Sequence, residues 1–97
     1  MLSSKQRSRL AGIAQTKPDL AQLGRDGASE AFGARLSVLL ADHELVKLRF
    51  LSHKDERAAL AKALAERTGS EIVRLIGNTA VFWKRHPNPE KRKIEID

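Results

Sequence analysis

The sequence predicts an α/β domain built on a single mixed sheet. Two observations carry that prediction. Apolar residues recur at helical spacing in three separate stretches, and four short runs of strand character lie between and after them. In chain order the elements read helix, strand, helix, strand, helix, strand, strand.

The first helix opens at Ser3, which forms a capping box with Gln6 three residues on. Leu10, Ile13 and Ala14 supply its apolar stripe. Pro18 closes it by restricting Lys17 and removing an amide donor. Residues 20–23 are expected as a short first strand. Gly24-Arg25-Asp26-Gly27 then makes a turn too rich in glycine to continue either neighbour. Phe32, Leu36, Leu39 and Leu40 mark the core face of a second helix, about residues 28–42. Residues 45–51 form the clearest strand, because Val46, Leu48 and Phe50 alternate with Lys47 and Arg49. One of its faces is apolar and the other basic.

Ser52 and Asp55 form a second capping-box pair, and Asp55 and Glu56 suit the positive end of the helix dipole. Leu60 and Leu64, one turn apart in an Ala-Leu-rich stretch running to Arg67, define the third helix. Gly69 is placed to end it in a left-handed cap. Residues 70–76 are a strand in which Val73 and Leu75 oppose Arg74. Gly77-Asn78 reads as a hairpin turn, and residues 79–84 return as the last strand. There Ala80-Val81-Phe82-Trp83 is apolar on both faces, so both rings are expected to be buried, with Trp83 the more exposed. Residues 86–97 hold Pro87, Pro89, Lys91, Arg92 and Lys93 and little apolar material. They are expected as a basic, flexible tail that adds no core residue to a folded domain of residues 1–85.

The composition narrows the function. At 97 residues the chain amounts to one domain, and 18 Lys+Arg against 12 Asp+Glu leave a net charge of +6. Excess Lys and Arg gain affinity for polyanions by releasing counterions from phosphates. Cysteine is absent, which excludes disulfides, thiol catalysis and thiolate metal sites. No apolar run approaches the ~18–20 residues of a membrane-spanning helix, and Met-Leu-Ser-Ser-Lys at the start has no signal-peptide core behind it. A cytoplasmic protein with no membrane partner is expected. Its four aromatics are Phe32, Phe50, Phe82 and Trp83. So few rings favour backbone electrostatics and shape over base stacking.

Catalysis finds little support. His43, His53 and His86 have no metal-ligand spacing, and each has a plain structural role open to it at a helix end, a helix start or in the tail. No serine nucleophile, paired-carboxylate arrangement or phosphate-cradling Lys-Ser/Thr loop is present. No catalytic residue, metal, cofactor or small-molecule substrate is expected. The glycine loop is more informative. Gly24 and Gly27 let backbone approach a sugar-phosphate chain, and the helix start behind them offers free amides. The structural alternative is an ordinary turn with Asp26 as the helix N-cap. Lys47 and Arg49 share a strand face that Arg74 joins from a neighbouring strand, which would make a basic sheet surface opposite the helices. Lys5, Arg7 and Arg9 on the first helix have no balancing acid nearby. Solvated faces are the bland reading of both groups.

These pieces resemble the CRM domain, in particular the stand-alone bacterial YhbY-type RNA-binding proteins. Ser4-Lys5-Gln6-Arg7 resembles the family's opening helix motif, and Gly24-Arg25-Asp26-Gly27 its signature glycine loop. His43-Glu44-Leu45-Val46-Lys47-Leu48 is similar to the start of its central strand, and Gly77-Asn78-Thr79 to its closing hairpin. The likeness runs from about Leu2 to Arg85. It implies a mixed four-stranded sheet with three helices packed on one face, similar to the C-terminal domain of translation initiation factor three. It also implies RNA binding, with the bacterial members associated with precursors of the large ribosomal subunit. Arg25 stands where the family usually has Lys, and Asp26 where an uncharged residue is commoner.

The expectation is therefore a non-catalytic RNA-binding protein of ribosome assembly that binds structured rRNA. Gly24, Arg25, Gly27, Lys5, Arg7, Arg9, Lys47, Arg49 and Arg74 are the expected contacts, and Arg67→Ala, at the end of the third helix, is expected not to weaken binding. The alternative is an adaptor that docks on a ribosomal protein or assembly factor.

Overall fold

The computed structural model describes residues 1–96. Among them are three α-helices and one four-stranded sheet, with α1 at Ser4–Gln15, β1 at Ala21–Leu23, α2 at Glu30–His43, β2 at Leu45–Phe50, α3 at Arg57–Thr68, β3 at Glu71–Ile76 and β4 at Thr79–Trp83. The sheet order is β1-β2-β4-β3. β1 runs parallel to β2, with α2 as the crossover such a pair needs, and the other pairings are antiparallel. The mixed α/β architecture is as expected.

Local signals explain most boundaries. The capping box forms at α1, where Ser3 Oγ accepts from the Gln6 amide at 3.1 Å and Gln6 Oε1 accepts from the Ser3 amide at 2.9 Å. Gly69 ends α3 at φ 68. The second expected capping box does not form. His53 instead takes a left-handed conformation, a 3-10 turn at Lys54–Glu56 follows, and α3 starts without a side-chain cap.

The helices do not share one face. On one side of the sheet Val46, Leu48, Phe50, Ala80 and Phe82 pack with Leu36 and Leu40 of α2 and Ala61, Leu64 and Ala65 of α3. On the other, Leu45, Val73, Val81 and Trp83 pack with Leu10, Ala11 and Ala14 of α1. The expectation of three helices on one face is corrected to two and one. The reason lies in β4, which is apolar on both faces and so needs cover on both. Phe82 and Trp83 point to opposite sides and both are buried as expected, Trp83 at 3% exposed and Phe82 at 0%.

The segment after Arg85 also departs from expectation. Ile96 is 4% exposed and joins the α1-side core, with Ile94 packed against it. Two residues apart on an extended chain, the isoleucines present to one side. A buried carboxylate holds the segment down. Glu44, 1% exposed, accepts from the amides of His86 at 2.7 Å, Lys93 at 2.6 Å and Ile94 at 3.3 Å. A buried charge needs such partners. Glu44 also takes φ 63 between α2 and β2, a conformation that costs on the order of 1–3 kcal/mol for a non-glycine residue. The segment therefore contributes core residues, and the expectation that it adds none is corrected.

Candidate functional site

The four residues after β1 fold into a tight turn in which the Gly27 amide donates to the Gly24 carbonyl at 3.1 Å. Gly27 has φ 66, a region glycine enters without strain. A Cβ there would also stand 3.4 Å from the His53 ring. That ring braces the loop, since His53 Nε2–H donates to the Arg25 carbonyl at 2.8 Å while Nδ1 lies 3.7 Å from Glu56 Oε1. Gly24 differs: open space surrounds the position its Cβ would occupy. A ligand chain can therefore approach the backbone closely at Gly24.

Arg25 and Asp26 are exposed at the tip of the loop. Asp26 does not cap α2. Ser29 does, its Oγ accepting from the Phe32 amide at 3.1 Å. The loop and the first turns of α2 border a hollow of about 310 Å³, lined by Gln22, Arg25, Phe32 and Arg35, with Asp26 the lone acid of its lining among the described residues. A further cation reaches the loop's far side. Arg67, from the end of α3, donates through Nη1 to the Ala28 carbonyl at 3.0 Å. The end of α3 thus comes beside the loop, because α2 and α3 lie side by side on one face. The signal missed was Gly33, a glycine inside a helix, which marks a close approach.

Lys47, Arg49 and Arg74 do share a sheet face. Lys47 and Arg74 both sit opposite Val81, and Arg49 sits opposite Thr79 in the next row. A register shift between Ile72 and Arg74 turns Val73 and Arg74 to the same side. This is the face α1 partly covers, rather than a face opposite all the helices. Ala11, Ala14 and Gln15 of α1 border a groove of about 240 Å³ whose other wall includes Lys47 and Arg74. Lys47 Nζ donates to the Lys17 carbonyl at 3.0 Å, whereas Arg49 and Arg74 are exposed. Gln22 lies opposite Arg49 and also borders the loop hollow, so the two cationic surfaces meet there.

The α1 cations are placed less uniformly. Lys5 and Arg9 are exposed and border neither the hollow nor the groove. Arg7 is half-buried, and its Nη1 donates to the Ile72 carbonyl, pinning α1 to β3. Among the described residues no group of three or more His, Cys, Asp or Glu side chains is placed to hold a metal ion. No helix among them is long and apolar enough to cross a membrane.

Comparison with known proteins bears on this arrangement. A family model described as the CRS1 / YhbY (CRM) domain matches residues 2–84. The chain is 30% identical over 96 residues to a probable RNA-binding protein of Pseudomonas aeruginosa, covering 98% of this chain and 92% of that one. It is 29% identical over 97 residues to the probable RNA-binding protein YqeI of Bacillus subtilis, covering 99% of each. Among solved structures, a hypothetical protein from Staphylococcus aureus superposes with a TM-score of 0.80 at 28% identity, covering 98% of this chain and 100% of that one.

Proposed function

The chain belongs to the CRS1 / YhbY (CRM) domain family, and from that premise we propose that it is a non-catalytic, cytoplasmic RNA-binding protein acting on structured rRNA in precursors of the large ribosomal subunit. Its relatives in P. aeruginosa and B. subtilis are named as probable RNA-binding proteins, which supports RNA as the partner. The observation that carries the reading is the continuity of the cationic surface. The loop hollow with Arg25 and Arg35 meets the sheet face with Arg49, Arg74 and Lys47 at Gln22.

The physics assigns each part a task. Gly24 leaves room for a phosphodiester chain against backbone, and Gly27 holds the turn that opens that room. Arg25 offers a planar fork that can grip a phosphate with two hydrogen bonds. Lys47, Arg49 and Arg74 extend the field along the RNA, with Lys5 and Arg9 at its margin. Arg7 contributes charge while positioning α1. Phe50, Phe82 and Trp83 are buried and Phe32 is half-buried, so among the described residues no fully exposed Phe or Trp ring is available to stack a splayed base. Recognition then rests on the phosphates and shape of folded RNA.

The test is salt dependence. With ~4–5 phosphates neutralised, log affinity falls against log salt with a slope of about −3 to −4. Arg25→Ala weakens binding and makes the slope shallower. Sedimentation of lysate on a sucrose gradient should place the protein with large-subunit precursors at low salt and free of them at high salt. A flat salt response, or the same position at the top of the gradient at both salts, overturns the assignment and favours a protein partner.

A further inference from the structure

At the far side of Lys47 from the glycine loop lies a second hollow, of about 280 Å³, between the end of α1, the start of β2 and the C-terminal segment. Lys17, His43, Lys47 and Lys93 border it over a floor that includes Leu45 and Ile94, and among the described residues no carboxylate lines it. Three lysines from three separate parts of the chain converge there. We propose that this hollow is a second phosphate-binding pocket, completed by the C-terminal segment, that takes a backbone phosphate of the same RNA held at the glycine loop.

Three features support a built site over a chance meeting of lysines. Lys47 is pre-positioned, since its Nζ already donates to the Lys17 carbonyl at 3.0 Å. Lys93 is placed by its own backbone, whose amide donates to Glu44 Oε1 at 2.6 Å. The buried acid beside it faces that latch and not the hollow. Glu44 turns its carboxylate to the amides of His86, Lys93 and Ile94 and does not line the hollow, so three lysines against this one buried acid leave the pocket's sign positive. The pocket is also continuous with the surface already described. Ala14 and Lys47 border both this hollow and the groove that holds Arg74. Along β2, Arg49 and Lys47 stand two residues apart, about 7 Å on one face of a strand. A chain leaving the glycine loop therefore meets Arg49, then Lys47, then the lysine pocket.

The inference rests on the RNA-binding reading, and its test separates the two. A fluorescein-labelled RNA hairpin is titrated with the full-length chain by fluorescence anisotropy across a range of KCl concentrations. Lys93→Ala should make the salt slope shallower by about 0.7–0.9, the loss of one phosphate contact. Lys91→Ala in the same segment and Lys62→Ala on α3 should leave it unchanged. Glu44→Gln should act like Lys93→Ala by weakening the latch, and Lys93→Ala, being an exposed side chain, keeps the test valid if Glu44→Gln fails to fold. If Arg25→Ala weakens binding while Lys93→Ala matches Lys91→Ala, the pocket is overturned and the RNA reading stands. If neither Arg25→Ala nor Lys93→Ala changes binding, the RNA reading falls with it. A second arm follows the amide resonances of Lys17, His43 and Lys93 on addition of inorganic phosphate. Saturable shifts there with an unchanged RNA salt slope would mean a free phosphate ion is the ligand, which overturns the RNA source.

Discussion

Arg67 and Gly33 fit together only because Gly33 has no side chain: a Cβ there would fall 2.6 Å from Arg67 Nη2. The guanidinium crosses α2 at this point to reach the Ala28 carbonyl beside the glycine loop. Gly33→Ala should leave stability within about 1 kcal/mol of the parent, because alanine gains up to ~1 kcal/mol in a helix while a lost hydrogen bond costs about 0.5–1.5 kcal/mol. A thermal melt checks this. RNA affinity should instead fall on the order of 1 kcal/mol, about fivefold, for Gly33→Ala and Arg67→Ala alike. The double variant should be no weaker than either single one, since both remove the same contact. Additive losses would show that Arg67 acts without the Gly33 passage.

Removing residues 87–97 should destabilise the domain. The deletion takes away Ile96, buried in the α1-side core, and leaves Glu44 without the Lys93 and Ile94 amides. Burial of one isoleucine contributes about 1.5–3 kcal/mol, and stranding a buried acceptor costs about 1–3 kcal/mol. The freed chain's entropy offsets part of that. A net loss of about 2 kcal/mol should lower Tm by roughly 8–16 °C in a domain of this size. An unchanged melting curve would mean that the segment rests on the body without supporting it.

What was legible in the sequence was local. Ser3 and Gln6 announce the start of α1, Lys47 and Arg49 alternate with apolar neighbours, and Gly69 stops α3. Each signal acts over a few residues, where backbone chemistry decides. The unread features all join distant parts of the chain. Glu44 looks like an ordinary acid after a helix, and only the amides of residues 86, 93 and 94 explain its burial. The placement of α1 follows from β4 being apolar on both sides, a fact visible in Val81 and Trp83 that does not say which helix covers them. At the candidate site, the shared face of Lys47 and Arg49 was readable from period, whereas Arg74 joins it with Val73 through the register shift after Ile72, which period does not show. The approach of Arg67 and the bracing by His53 were not readable, because both reach the loop from α3 or its approach.

Ser29→Ala should cost about 1 kcal/mol, the usual effect of losing an N-cap. Ser29 Oγ accepts from the Phe32 amide at the start of α2, and no other side chain caps that end. Urea denaturation should show the midpoint falling with the slope unchanged. The same measurement on Asp26→Ala should show no loss. If Asp26→Ala proves the more damaging of the two, the cap lies at Asp26 in solution.

Asp26→Asn should strengthen RNA binding. With Ser29 as the cap, the Asp26 carboxylate has no hydrogen-bond or ion-pair partner among the described residues, and it stands exposed beside Arg25 and Gly24. It is the lone acid lining the loop hollow, where an approaching phosphate would be repelled. Asparagine keeps the shape and tolerates turn geometry, so stability should hold. Two unit charges near a surface interact by a few kcal/mol at most before screening, and screening at physiological salt reduces that to about 0.5–1 kcal/mol. Affinity should therefore rise by about two- to fivefold, with the gain shrinking as salt is raised. Because the removed charge sits beside the phosphate at the loop, the gain should vanish in an Arg25→Ala background if Arg25 is what brings the phosphate there. A gain of equal size in both backgrounds would mean that Asp26 acts through the net charge of the protein and not at the loop.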